Sequence, residues 1–163
     1  MEAKRLEALK QIAAGIAAQF GDKCEVVIHD VGGGHPEHTI VHIENGHVSG
    51  RKVGDGASQV VLDQLNSQNG HPKDHLCYLT RTRDGKILKS TTIYIRDDDG
   101  RPIGMFGINY DITLMLAMED ALINYTNSLG GVITAEQYGE TQGRITILKP
   151  VFTDVASTSW YYD

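Results

Sequence analysis

A chain of 163 residues with 40% apolar and 22% charged residues is long enough for one domain plus an extension and apolar enough to build a core. Its formal net charge of −6 argues against nucleic acid as a direct partner, because phosphate binding draws on a basic surface, and leaves open a small charged ligand in a pocket. Two cysteines without CxxC spacing give no disulfide framework, no run reaches the ~20 apolar residues of a membrane span, and the charged first ten residues do not read as a signal peptide, so a soluble cytoplasmic protein is expected.

In chain order, residues 2–20 place Leu6, Leu9, Ile12, Ala13, Ile16 and Phe20 near helical spacing, and Gly21-Asp22 ends the helix. CEVVIHD (24–30) is a strand rich in β-branched residues, and VGGGHPEH (31–38) is a loop. TIVHIENG (39–46) alternates and closes on the turn signal Asn45-Gly46. Glycine punctuates 47–58, and ASQVVLDQLNS (57–67) reads as a short helix with Ser58 or Asp55 as its cap. After a loop at 68–75, Asp84-Gly85 and DDDG (97–100) join three β-rich runs into an antiparallel meander. A second amphipathic helix spans 111–129, capped by Asp111 or Thr113. Residues 130–163 lack helical period, and Pro150 interrupts their one strand-like run, so they are expected to pair with a sheet edge or to stay loose.

Alternation along 86–96 puts Leu88, Ser90, Thr92, Tyr94 and Arg96 on one side and Ile87, Lys89, Thr91, Ile93 and Ile95 on the other. In the next run, Ile103, Met105, Gly107 and Asn109 oppose Gly104, Phe106, Ile108 and Tyr110. The Ile- and Phe-rich sides suit packing beneath helices. The Ser/Thr/Tyr/Asn side suits either a cavity wall or an exposed strand surface, and periodicity does not choose between them.

Arg51, flanked by glycines in SGRKVG, suits bidentate binding of a carboxylate; the alternative is a surface arginine or one pairing with an internal Asp. Lys89 reads as a snorkelling edge lysine. His29 is expected to border a pocket or satisfy a backbone group; beside Tyr78 or Cys77 it is the general base of an enzyme reading. Cys24 and Cys77 are expected to be buried strand cysteines. His35, His38 and His42, like His71 and His75, have no Cys pair beside them, so no metal is expected. GGGH lacks the ending of a phosphate loop, no nucleophile elbow is present, and Asp97, Asp98 and Asp99 read as a solvated hairpin tip.

Two strands, a helical connection and three more strands follow the order of a PAS-type fold: α+β, a five-stranded antiparallel sheet covered by helices, with an N-terminal helix and a C-terminal extension. Residues 1–129 form the sensor-like domain and 130–163 the extension. The blocks CEVVIHD, NGHVSGRKVG (45–54) and KILKSTTIYIRD (86–97), in that order, resemble the YheO-like PAS domains of bacterial transcriptional regulators over roughly residues 1–127. The resemblance implies a sensor of a small polar metabolite, neither an enzyme nor a cofactor protein, joined in the family to a DNA-binding helix-turn-helix. Residues 130–163 hold no two successive amphipathic helices, so DNA is expected as a partner only through an output domain absent from this chain. On that reading the pocket contacts are Arg51 as carboxylate clamp, Tyr78, Thr80, Ser90, Thr92 and Tyr94 as hydroxyl partners, and Asn109 as an amide contact. Ala13, Ala14, Ala17 and Ala18 permit close helix approach, so a homodimer is expected through the first helix or the segment 144–152. The alternatives are an interaction module without ligand and a small enzyme.

Overall fold

A computed structural model describes residues 1–32, 38–57, 72–128 and 161–162. The helix expected at 57–67 and nearly all of the extension lie outside the described residues.

Helix α1 (Ala3–Phe20) ends where Gly21 turns to φ 80 and its N–H donates to the Ala17 carbonyl at 2.9 Å. Strands β1 (Cys24–Asp30), β2 (Ile40–Glu44), β3 (His75–Arg81), β4 (Ile87–Arg96) and β5 (Pro102–Asp111) follow, then helix α2 (Thr113–Ser128) and the two-residue β6 (Tyr161–Tyr162). The sheet order is β2-β1-β5-β4-β3-β6, antiparallel from β2 to β3, with β6 alongside β3 in parallel. The hairpins at Asp84-Gly85 and 97–100 form as their turn chemistry predicts: Gly85 and Gly100 hold φ 89 and 81.

One face of the sheet belongs to α1. Cys24, Val26 and Ile28 of β1 and Phe106 of β5 are buried there against Ala13 and Ala17, with Leu6, Leu9 and Ile16 around them. The small side chains of Ala13 and Ala17 let the helix sit close to its own sheet, so this pair is not open to a second copy. Ile12 and Phe20 depart from the expected stripe, at 53% and 58% exposed. Ile12 sits a residue off the 6-9-13-16 line, and Phe20 caps the helix end with its ring edge-on to Tyr110 at 6.3 Å.

The opposite face is also buried, and it carries a row of polar side chains. Its inward-pointing residues mix polar with apolar: Glu25, Val27 and His29 on β1, Leu88, Ser90, Thr92 and Tyr94 on β4, and Met105 and Asn109 on β5, all 8% exposed or less. The Ser/Thr/Tyr/Asn side therefore faces in. β1 is covered on both faces, which is why its six leading residues are all buried. Lys89, on the α1 side of the sheet, is exposed.

Cys24 is buried as expected, but Cys77 is exposed. A bulge between His75 and Tyr78 breaks the alternation of β3, Cys77 takes φ 55, and both Leu76 and Cys77 turn outward.

Helix α2 begins where Asp111 accepts the Thr113 N–H at 3.0 Å and the Thr113 hydroxyl at 2.6 Å, the capping role assigned to it from the sequence. From Leu114 onward it belongs to a separate compact unit. No helix among the described residues is long and apolar enough to cross a membrane.

Candidate functional site

Strand register builds a polar row across the inner face. Glu25 of β1 lies opposite Asn109 of β5, Asn109 opposite Ser90 of β4, and Ser90 opposite Tyr78 of β3. Hydrogen bonds then run along and beside it. Asn109 Nδ2 donates to Glu25 Oε1 at 2.8 Å, Thr80 Oγ1 and Ser90 Oγ are 2.8 Å apart, and Tyr78 Oη and Thr92 Oγ1 are 2.9 Å apart. Alternation supplies the side and register supplies the neighbours, so residues distant in sequence converge without any loop having to position them.

The Glu25 carboxylate is the hub at one end. It is fully buried, and a buried carboxylate without partners is costly. Arg51 Nη2 meets Oε1 at 2.8 Å, the Ser49 N–H meets Oε2 at 3.2 Å, and the Ser49 hydroxyl bonds to the same oxygen. Arg51 Nε also donates to Ser49 Oγ at 2.9 Å, which closes the cluster. The loop delivering these groups turns at Asn45, whose φ of 53 is held by side-chain bonds to the Gly21 and Cys24 carbonyls at 3.0 and 2.8 Å. Gly46 follows because a Cβ there would collide with the Arg51 carbonyl.

At the other end Tyr94 is buried, its N–H donates to Asp74 Oδ1 at 3.0 Å, and the Arg96 guanidinium lies 5.9 Å from its ring centre. Burial pushes the Tyr94 phenol up; Tyr78 and Asp74 add to the shift and Arg96 opposes it. The His75 and Tyr78 rings stack at 3.9 Å. His29 is buried on the same face with Nδ1 2.8 Å from Thr39 Oγ1. Burial, and then the Arg51 charge, lower its pKa to about 3. That leaves the imidazole neutral and a poor match for general-base work near neutral pH. Its mapped partner is Thr39, neither Tyr78 nor Cys77.

All seven residues expected from the sequence are thus placed. Tyr78, Thr80, Ser90, Thr92, Tyr94 and Asn109 share the inner face, and Arg51 reaches the row through Glu25. The acid it holds is internal, as one of its sequence readings allowed, though a glutamate. Sequence reasoning missed Glu25, Ser49 and Thr39. The available signal was Glu25 itself, a charge inside an apolar β run on the same side as Val27 and His29. Of the histidines weighed for metal, His35 and His71 lie outside the described residues; His42 Nε2 is 3.0 Å from Glu44 and His38 Nδ1 is 2.6 Å from the Gly54 carbonyl. Among the described residues no three His, Cys, Asp or Glu side chains converge.

A family model described as the YheO-like PAS domain matches residues 1–127. The chain is 32% identical over 108 residues to the uncharacterized protein YheO of Escherichia coli K12, covering 66% of this chain and 44% of that one. It is 30% identical over 117 residues to the transcriptional regulator DauR of Pseudomonas aeruginosa, covering 72% of this chain and 52% of the regulator. It thus spans about half the length of these relatives. Among solved structures, the LOV domain of the blue-light photoreceptor Aureochrome1 aligns over 72% of this chain and 91% of its own, at 19% identity and a TM-score of 0.42. A sensory box histidine kinase/response regulator from Burkholderia thailandensis aligns over 71% and 96%, at 19% identity and a TM-score of 0.43.

Proposed function

The chain belongs to the YheO-like PAS domain family, and on that premise we propose that it is the sensor domain of a cytoplasmic, homodimeric transcriptional regulator, binding a small polar metabolite on the inner face of its sheet. One observation carries this reading: the buried row of Glu25, Asn109, Ser90 and Tyr78, flanked by Thr80, Thr92 and Tyr94. A face that served only as a core wall would be apolar, since each buried polar group must find a partner.

The hydroxyl pairs on this face can exchange a bond with each other for one to a guest. Each hydroxyl carries one donor and two acceptor positions, so Tyr78–Thr92 and Thr80–Ser90 spend part of theirs on each other. Asn109 offers its amide oxygen, and Arg51 brings a guanidinium already shaped to a carboxylate by Glu25. A ligand that favours one arrangement of these bonds shifts the population of the two. Helix α2 supports a dimeric output: Met115, Met118, Leu122 and Tyr125 are each at least 50% exposed, and their three-four-three spacing fits a helix–helix seam. DNA contact is assigned to an output domain rather than to this sheet.

The test is a melting screen of small polar metabolites against the wild type and the Ser90→Ala and Thr92→Val variants. A compound that raises the wild-type midpoint, with a reduced shift in both variants, is the expected result. Equal shifts in all three proteins, or none across the panel, would return the chain to the interaction-module reading.

A further inference from the structure

The sheet is weakest on its β3 side. None of the seven residues of β3 is fully buried, whereas β4 beside it buries Leu88, Ser90, Thr92 and Tyr94. The ladder between the two strands is also broken. Its register skips Leu76 and Cys77, and the Cys77 N–H donates to the Thr91 hydroxyl at 3.0 Å. Regular pairing is left to Tyr78, Leu79, Thr80 and Arg81. An outer strand held by so short a ladder is a part of the sheet that opens early.

Strand β6 pairs with that regular half. Tyr161 lies opposite Thr80 and Tyr162 opposite Arg81, in parallel, so the outer edge of β3 is covered where the polar row ends. Residues 161–162 lie beyond the family domain at 1–127, yet they group with the sheet and not with the unit 114–159 that precedes them. Thr80 is the joint. Its backbone pairs with Tyr161 on one side and Leu88 on the other, and its hydroxyl is 2.8 Å from Ser90 Oγ. Tyr78, two residues along the same strand, reaches Thr92 at 2.9 Å.

We propose that the C-terminal strand is a regulatory latch: seated on the outer edge of β3, it holds Tyr78 and Thr80 in the polar row, and its release loosens that end of the row. The regulatory sense rests on the reading of the row as a ligand site. Coupling between two sites is reciprocal, so a change in the row also loosens or tightens the tail.

Amide hydrogen exchange on the full chain tests this without any ligand, so a failed search for a metabolite and a failed latch give different results. Tyr161→Pro, which removes a backbone donor from β6, is expected to raise exchange at Leu79, Thr80 and Arg81 about tenfold, the scale of one net hydrogen bond, with Val26 and Ile28 in the core unchanged. Ser90→Ala, one strand away from β6, is expected to raise exchange at Tyr161 and Tyr162, which a purely local bridge would not do. Tyr162→Pro repeats the first arm independently. Exchange in β3 that matches the wild type in both proline variants overturns the latch. So does a tail indifferent to Ser90→Ala, or a rise shared equally by Val26 and Ile28, which marks general loosening.

Discussion

Glu25 and Asn109 lie 84 residues apart in sequence and directly opposite each other across β1 and β5, with Asn109 Nδ2 2.8 Å from Glu25 Oε1. The bond joins two adjacent inner strands on the polar face. The same carboxylate oxygen takes Arg51, so a residue from the loop after β2 is fixed to the sheet centre. Removing Arg51 strands a fully buried charge. Arg51→Ala is therefore expected to cost about 3–5 kcal/mol in urea unfolding. Glu25→Gln together with Arg51→Met removes both charges and recovers most of that loss, because the charge left alone is the main penalty. A loss in Arg51→Ala no larger than that of an exposed arginine would contradict the ion pair.

His29 makes stability depend on pH in a stated direction. Its pKa falls from 6.5 to about 3 on folding. Below 6.5 the unfolded chain takes up a proton that the folded chain refuses, so stability is full above that pH and declines as pH falls toward 3. The slope approaches ~1.4 kcal/mol per pH unit. Urea midpoints measured between pH 7 and 5, above the ordinary carboxylate range, isolate the effect. His29→Gln is expected to flatten the decline; an unchanged slope would count against the burial of a neutral imidazole.

The Tyr78–Thr92 pair is measurable by a double-mutant cycle. Thr92→Val removes the bond to the Tyr78 hydroxyl and is expected to cost about 1 kcal/mol, and the loss in the double variant with Tyr78→Phe is smaller than the sum of the two single losses. Strictly additive losses would show that the two hydroxyls do not interact.

Exposure separates the two thiols. Cys77 is exposed, while Cys24 is 1% exposed with its pKa pushed up by burial and then by Glu25. A thiol reagent is expected to label Cys77 at once in native protein and Cys24 only after denaturation. Two equivalents labelled rapidly without denaturant would contradict the placement of β1 in the core.

The sequence pattern carries the strands, the hairpins, the helix ends and the two sides of β4 and β5, because each rests on local chemistry: turn residues, period and caps. It does not carry which side faces in. Ser90, Thr92 and Tyr94 alternate identically whether buried or exposed, and only the cover over the sheet decides. It does not carry the bulge at Cys77, where an extra residue turns Leu76 and Cys77 outward together. Glu25 was hidden for another reason. A carboxylate near the start of a strand ordinarily faces water, and its cover here comes from Ser49 and Arg51 more than twenty residues away.

Native mass spectrometry of the chain after incubation with a small-molecule extract of its host, set against the denatured mass, tests the sensing role most directly. The expected spectrum is a dimer carrying one reproducible added mass per subunit, lost on denaturation and absent from a Ser90→Ala/Thr92→Val protein that still dimerises. Bare subunit masses under all conditions, or an added mass retained by that variant, would contradict a ligand on the inner sheet face.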